Sequence, residues 1–177
     1  TGGYGSEIGG CGRYPGGWAE PPCGDAAFNA TLPWLTVAGG RRVDNADSYG
    51  NMATMGRAIK AAEKSGVKRS DIFLVGKVGP SLPLGYNETK KQVSDSLAAY
   101  GTDYIDLMLV HWPTNTKPSS DPACSPGGDE TRCRLNTWNA LVEALDDSLV
   151  RAIGVSNFNV GQLKEIEEAK LPLPAVN

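Results

Sequence analysis

Residues Ile105–Pro113 read Ile-Asp-Leu-Met-Leu-Val-His-Trp-Pro, a short apolar run closed by a proline. A run of this length bounded by a turn signal predicts a strand buried on both faces, as strands of parallel sheets are. Pro113 ends it because proline has no N–H to give to a ladder. At its carboxyl end stands His111, the only histidine of the chain. The carboxyl ends of parallel strands are where α/β folds place their chemistry. A histidine that merely caps a strand would look the same, so the surrounding sequence has to decide.

Around that strand, apolar runs and amphipathic segments alternate. Thr1–Gly24 is a Gly/Pro-rich loop. Asp25–Ala38 predicts a helix with Phe28, Leu32 and Leu35 on one face, kinked by Pro33 and stopped by Gly39-Gly40. Arg41–Ala46 predicts a short strand around Val43. Asn51–Lys64 predicts a helix burying Met52, Met55, Ile59 and Ala62. Asp71–Lys77 is the second strand, and Asn87 can cap a helix running to Tyr100 that buries Val93 and Leu97. After the Ile105–Val110 strand comes a polar stretch, Thr114–Arg134, longer than a structureless connection usually is, which marks it as functional or mobile. Leu135–Leu149 predicts a helix, Val150–Val155 a strand, Val160–Lys170 a helix, and Leu173–Asn177 the beginning of another strand. Strands alternating with helices mean a parallel sheet with helical crossovers.

Hydrophobic residues are 40% of the 177 and charged ones 21%, an ordinary globular composition. A net charge of −3 gives no footprint for nucleic acid or an anionic membrane. No apolar run approaches the roughly 20 residues of a membrane span. The chain opens at Thr1 with no readable targeting signal. Its four cysteines, Cys11, Cys23, Cys124 and Cys133, lie in two loop segments without C-x-x-C spacing, so no metal site is expected. Disulfides stapling those loops would imply an oxidising compartment; free thiols would fit a cytosolic one. Both readings stand.

The strand ends carry a coherent chemistry. Asp44 ends the first strand, with Tyr49 five residues on. Lys77 ends the second strand and His111 the third, while Ser156 and Asn157 follow the fourth. All project from one rim of a parallel sheet, so they can converge. A phenol with a pKa near 10 is a poor acid at neutral pH. A lysine cation beside it favours the phenolate and makes it a better proton donor. At 4 Å and an effective dielectric of 20 that attraction is about 4 kcal/mol before desolvation. Asp44 would keep Lys77 charged and placed, and His111 would orient a carbonyl oxygen. Such a set protonates an oxygen while a nicotinamide cofactor delivers hydride to carbon. Singly, each residue reads as an ion pair or packing; together they read as a site.

These residues resemble the aldo-keto reductase family. Arg42-Val43-Asp44-Asn45-Ala46-Asp47-Ser48-Tyr49-Gly50-Asn51 with Gly56-Arg57-Ala58-Ile59 resembles its second-strand motif. Phe73–Lys77, Asp106–Pro113 and Gly154–Phe158 resemble the next three. Thr1-Gly2-Gly3 is similar to the end of its first strand, and Pro174–Asn177 to the opening of its sixth. The resemblance implies a (β/α)8 TIM barrel, of which strands 2–5 and the ends of strands 1 and 6 lie in this chain. It implies reduction of aldehydes or ketones with NADPH; the net charge of −3 speaks against a nucleic-acid partner. Tyr49 would be the general acid, Lys77 its partner, Asp44 the partner of Lys77, and His111 the substrate orienter. Thr1, Gly2, Asp44, Ser156 and Asn157 would bind the cofactor, and Trp112 would line the substrate pocket.

Two residues depart from the family pattern: Asn45 and Met52 stand where Thr and Glu are usual. The two cysteine-bearing loops are unusual and sit on the catalytic rim, where they would reshape specificity. The family's later segments, including the basic loop for the cofactor's 2′-phosphate, are not in these 177 residues. A cytoplasmic location is the family expectation. The alternative is a non-catalytic aldo-keto-reductase-like subunit held by neighbours in a larger assembly.

Overall fold

The structure is a computed structural model and describes residues 23–115 and 117–177. Thr1, Gly2 and Cys11 lie outside those residues, as does the side chain of Cys23. Helices α1 (Cys23–Thr36), α2 (Met52–Lys64), α3 (Tyr86–Tyr100), α4 (Glu130–Asp146) and α5 (Val160–Glu168) alternate with strands β1 (Arg42–Asp44), β2 (Phe73–Val78), β3 (Leu107–Val110) and β4 (Ile153–Val155). The strands form one parallel sheet in the order β1-β2-β3-β4. Successive helices pack side by side against it. This is the arrangement of part of a (β/α)8 barrel, as expected.

The pleat sorts side chains onto two faces. Val43, Leu74, Val78, Met108, Val110, Ile153 and Val155 join the helices in one large buried cluster. To it the helices contribute Leu35, Met55, Ile59, Val93, Trp138, Leu141 and Ile166, several of them the positions that helical spacing picks out. The opposite face, the barrel interior, holds a much smaller cluster of Val75, Leu107 and Leu109. Register aligns Asp44 with Val75 and Lys77 with Leu109, so both charged residues stand on that interior face. The α2–α3 contact is close: a Cβ on Gly56 would meet the carbonyl oxygens of Ala99 and Tyr100 at 2.5 and 2.7 Å.

Several boundaries differ from the sequence reading. Asn87 does not cap α3. The helix starts at Tyr86 behind Gly85, whose φ of 126° and crowding by Glu88 and Asp121 require glycine. The polar stretch after β3 is shorter than Thr114–Arg134, because Asp129 accepts from the Arg132 N–H and starts α4 at Glu130. Cys133 therefore lies in a helix rather than a loop, and it is disulfide-bonded to Cys124 in a 3-10 turn. Pro33 sits inside α1, which continues to Thr36. Val150 is only a bridge partner of Ile105, ahead of β4. Leu173–Asn177 is not a full strand, yet it pairs with β4: Ala175 N–H donates to Ile153 O at 2.9 Å and Val155 N–H to Val176 O at 3.0 Å. Among the described residues no helix is long and apolar enough to cross a membrane.

Candidate active site

Lys77 is the centre of the site. Its side chain is 7% exposed, and its ammonium donates to Asp44 Oδ1 at 2.5 Å, to the Asn45 carbonyl at 2.9 Å and to Tyr49 Oη at 3.3 Å. An ammonium has three hydrogens, so three oxygens satisfy it. Burial without such partners would be prohibitive for a charged group. Asp44 is closer to solvent, at 42% side-chain exposure. Its attraction for Lys77 is thus screened more than that of a fully buried carboxylate. Tyr49 arrives on the 3-10 turn Asp47–Tyr49, which Gly50 ends in a left-handed conformation at φ 70°. That turn swings the phenol back over β2, where the Lys77 Nζ lies 4.8 Å from its ring centroid.

His111 follows the last residue of β3 and stays fastened to the sheet, its N–H donating to Val78 O at 3.0 Å. The ring is 7% exposed and meets Tyr49 edge-on, with centroids 5.7 Å apart and planes at 86°. Nδ1 lies 3.3 Å from Ser48 Oγ. Burial lowers the imidazole below its ordinary value of 6.5, and the nearby Lys77 charge lowers it further, against a raising influence from a Gly79 backbone hydrogen bond and from Asp44. The ring is accordingly neutral at pH 7 and can donate through only one nitrogen. Trp112, 45% exposed, lies beside it with ring centroids 6.4 Å apart.

Asp44, Tyr49, Lys77 and His111 thus converge, as do the β4-end residues. Asn157 adopts φ 63°, and its Nδ2 donates to the His111 carbonyl at 2.8 Å and to Ser156 Oγ at 3.0 Å. Two contributors escaped sequence reasoning. Ser48 supplies the partner of His111, and the Asn45 backbone carbonyl supplies the third oxygen of Lys77. Neither is visible in a residue-type pattern, since one role depends on the 3-10 turn and the other on main chain.

A neutral imidazole and a phenol held by an ammonium can together grip and protonate an oxygen at this rim. The donor set beside it fits a carboxamide. The Asn157 amide nitrogen is engaged by His111 and Ser156, and neither of those bonds uses its Oδ1, an acceptor suited to an amide N–H.

Comparison with known proteins identifies the family. The model of the Aldo/keto reductase family matches residues 10–177. The chain is 39% identical over 148 residues to a D/L-glyceraldehyde reductase of Hypocrea jecorina, covering 78% of this chain and 44% of that protein. It is 35% identical over 140 residues to a morphine 6-dehydrogenase of Pseudomonas putida, covering 79% and 41%. Among solved structures it is similar to an aldo-keto reductase of Bombyx mori in complex with NADP, at 31% identity and a TM-score of 0.76, covering 90% of this chain and 49% of that one. An aldo/keto reductase of Brucella melitensis matches at 36% identity and a TM-score of 0.70, with 86% and 53% covered. The chain spans about half the length of the relatives it matches.

Proposed function

This chain belongs to the aldo/keto reductase family, and on that footing we propose that the whole protein reduces aldehydes or ketones to alcohols with NADPH, Tyr49 serving as general acid. The observation that carries the reading is the Lys77 ammonium seated between Asp44 and Tyr49, 3.3 Å from the phenol oxygen. Negative charge developing on that oxygen as it gives up its proton is stabilised by a cation already in place. Asp44 and the Asn45 carbonyl hold the cation there. His111, neutral and edge-on to the phenol, orients the substrate carbonyl toward it. Trp112 offers an apolar, half-exposed surface to the rest of the substrate.

NADPH, when bound, supplies the hydride for the carbonyl carbon. Ser156 and Asn157 would hold its carboxamide, with Asp44 near the reacting end. The bound NADP of the Bombyx mori relative supports this choice of cofactor. Asp44, Lys77 and Tyr49 joined by hydrogen bonds, with His111 edge-on to the phenol, favour an enzyme over a purely structural subunit.

Tyr49→Phe tests the assignment. In the full-length protein it should lower the rate of aldehyde reduction by at least about 10²-fold, a typical contribution of a positioned acid. NADPH affinity, read by fluorescence titration, should change less than about twofold, since the phenol is not in the carboxamide site. A variant that keeps its activity would remove Tyr49 from the acid role.

A further inference from the structure

We propose that the Tyr100 hydroxyl and the Asn45 side chain, facing one another on the helix side of β1, are positioning groups. They set the Asn45 carbonyl against the Lys77 ammonium and so place that cation beside Tyr49. This rests on the reductase reading, and it adds a residue of the helix layer to the support of the site.

The pleat decides where Asn45 points. Val43 lies in the helix-side core and Asp44 stands on the interior face, so the next side chain turns back toward the helices. There Asn45 is fully buried. Its main chain meets β2: the N–H donates to Val75 O at 2.9 Å, and the carbonyl accepts from Lys77 Nζ at 2.9 Å. Of the three oxygens around Lys77, this carbonyl makes the buried bond. Asp44 is half exposed, and Tyr49 lies further off at 3.3 Å. The carbonyl is therefore the least screened of the three references for the cation.

Tyr100 ends α3 and is also fully buried. Its main chain is pressed against Gly56 of α2, which fixes where the side chain starts. Burial above all, then the charges of Asp47 and Asp44, push its phenol up, while the Asn45 side chain opposes them. The hydroxyl is thus protonated at neutral pH, donor and acceptor at once, as the amide opposite it is. Neither amide atom of Asn45 nor the Tyr100 hydroxyl has a partner at bonding distance among the described residues. Left alone, each would bear the whole cost of its desolvation. Across a shared buried water they satisfy one another. The Asn45 side chain is then held at its tip and its N–H by the ladder, so the carbonyl keeps its direction. An amide also reaches further from the main chain than the threonine usual at this position, and the Tyr100 hydroxyl answers that reach.

The test uses the full-length protein, mixing its NADPH complex with D-glyceraldehyde and following a single turnover in light and in heavy water. Tyr100→Phe removes the hydroxyl and keeps the ring. Asn45→Thr shortens the side chain and gives an answer if the phenylalanine variant does not fold. Each should lower the single-turnover rate about fivefold, as a small misplacement of a proton-transfer group does. The solvent isotope effect on that rate should rise, because proton transfer becomes a larger share of the barrier; a merely structural role would leave it unmoved. NADPH Kd should stay within about twofold. The double variant should be no slower than either single one, since both break the same link. A parental rate for Tyr100→Phe, a fall with an unchanged isotope effect, or a double variant that multiplies the single losses would overturn the proposal. A parent that oxidises no NADPH with any small aldehyde would overturn the reductase reading and this inference with it, a result read from the parent alone.

Discussion

The imidazole of His111 carries a measurable consequence at the scale of one residue. Burial first, and Lys77 second, hold it below its ordinary value of 6.5 in the folded protein. The unfolded chain takes up a proton near pH 6.5 where the folded one does not, so the unfolded state binds more protons. Its contribution to stability is complete above pH 6.5 and is lost as pH falls from there toward the folded value, at up to about 1.4 kcal/mol per pH unit. Urea melts of the full-length protein at pH 7.5 and 5.5 should show a smaller loss of stability for His111→Gln than for the parent. Equal losses would mean that the ring titrates alike in both states. The same residue shows where sequence reading stops. Its place on the rim was readable from the strand it ends, but its Ser48 partner and its edge-on contact with Tyr49 depend on a 3-10 turn that three residues of sequence do not announce.

At the scale of elements, α4 and α5 are joined by one ion pair. Arg134 Nε and Nη2 donate to Glu165 Oε2 and Oε1, each at 2.7 Å, with Arg134 7% exposed. The guanidinium holds the Glu165 carboxyl below the usual range. Removing the carboxylate would leave a buried guanidinium with only the long 3.5 Å contact to the exposed Glu130 as a charged partner on this side. Glu165→Gln should cost about 2 kcal/mol, below the value for a fully buried pair because Glu165 is partly exposed. A thermal melt would show it, and the deficit should shrink as pH falls below 4.5, where the parent's own carboxylate loses its advantage. A variant melting with the parent at pH 7 would contradict this. Helices and strands were largely legible here because apolar spacing fixes them. Boundaries were less so: Gly85 sets the start of α3 by a backbone conformation, and Asp129 sets that of α4 by a cap embedded in a polar stretch. The sequence reading placed all four cysteines in loops; the folded chain puts Cys133 in α4.

Across the whole molecule, the two faces of the sheet are unequal. Among the described residues the helix side is a continuous core, whereas the interior side has a small cluster of Val75, Leu107 and Leu109 and the charged rim. A barrel interior is filled in layers by side chains from alternating strands all the way round, and this chain spans about half the length of its relatives. Yet all four proposed catalytic groups come from β1, β2, β3 and the segments just after them, already in contact. The proposed chemistry is thus local to these three strands. The most direct measurement is the stoichiometry of NADPH oxidation against glycerol formed when the full-length protein is given D-glyceraldehyde. One glycerol per NADPH consumed, with negligible oxidation when the aldehyde is left out, is the predicted result. No aldehyde-dependent oxidation with this or any other small aldehyde, by a folded protein, would contradict the account.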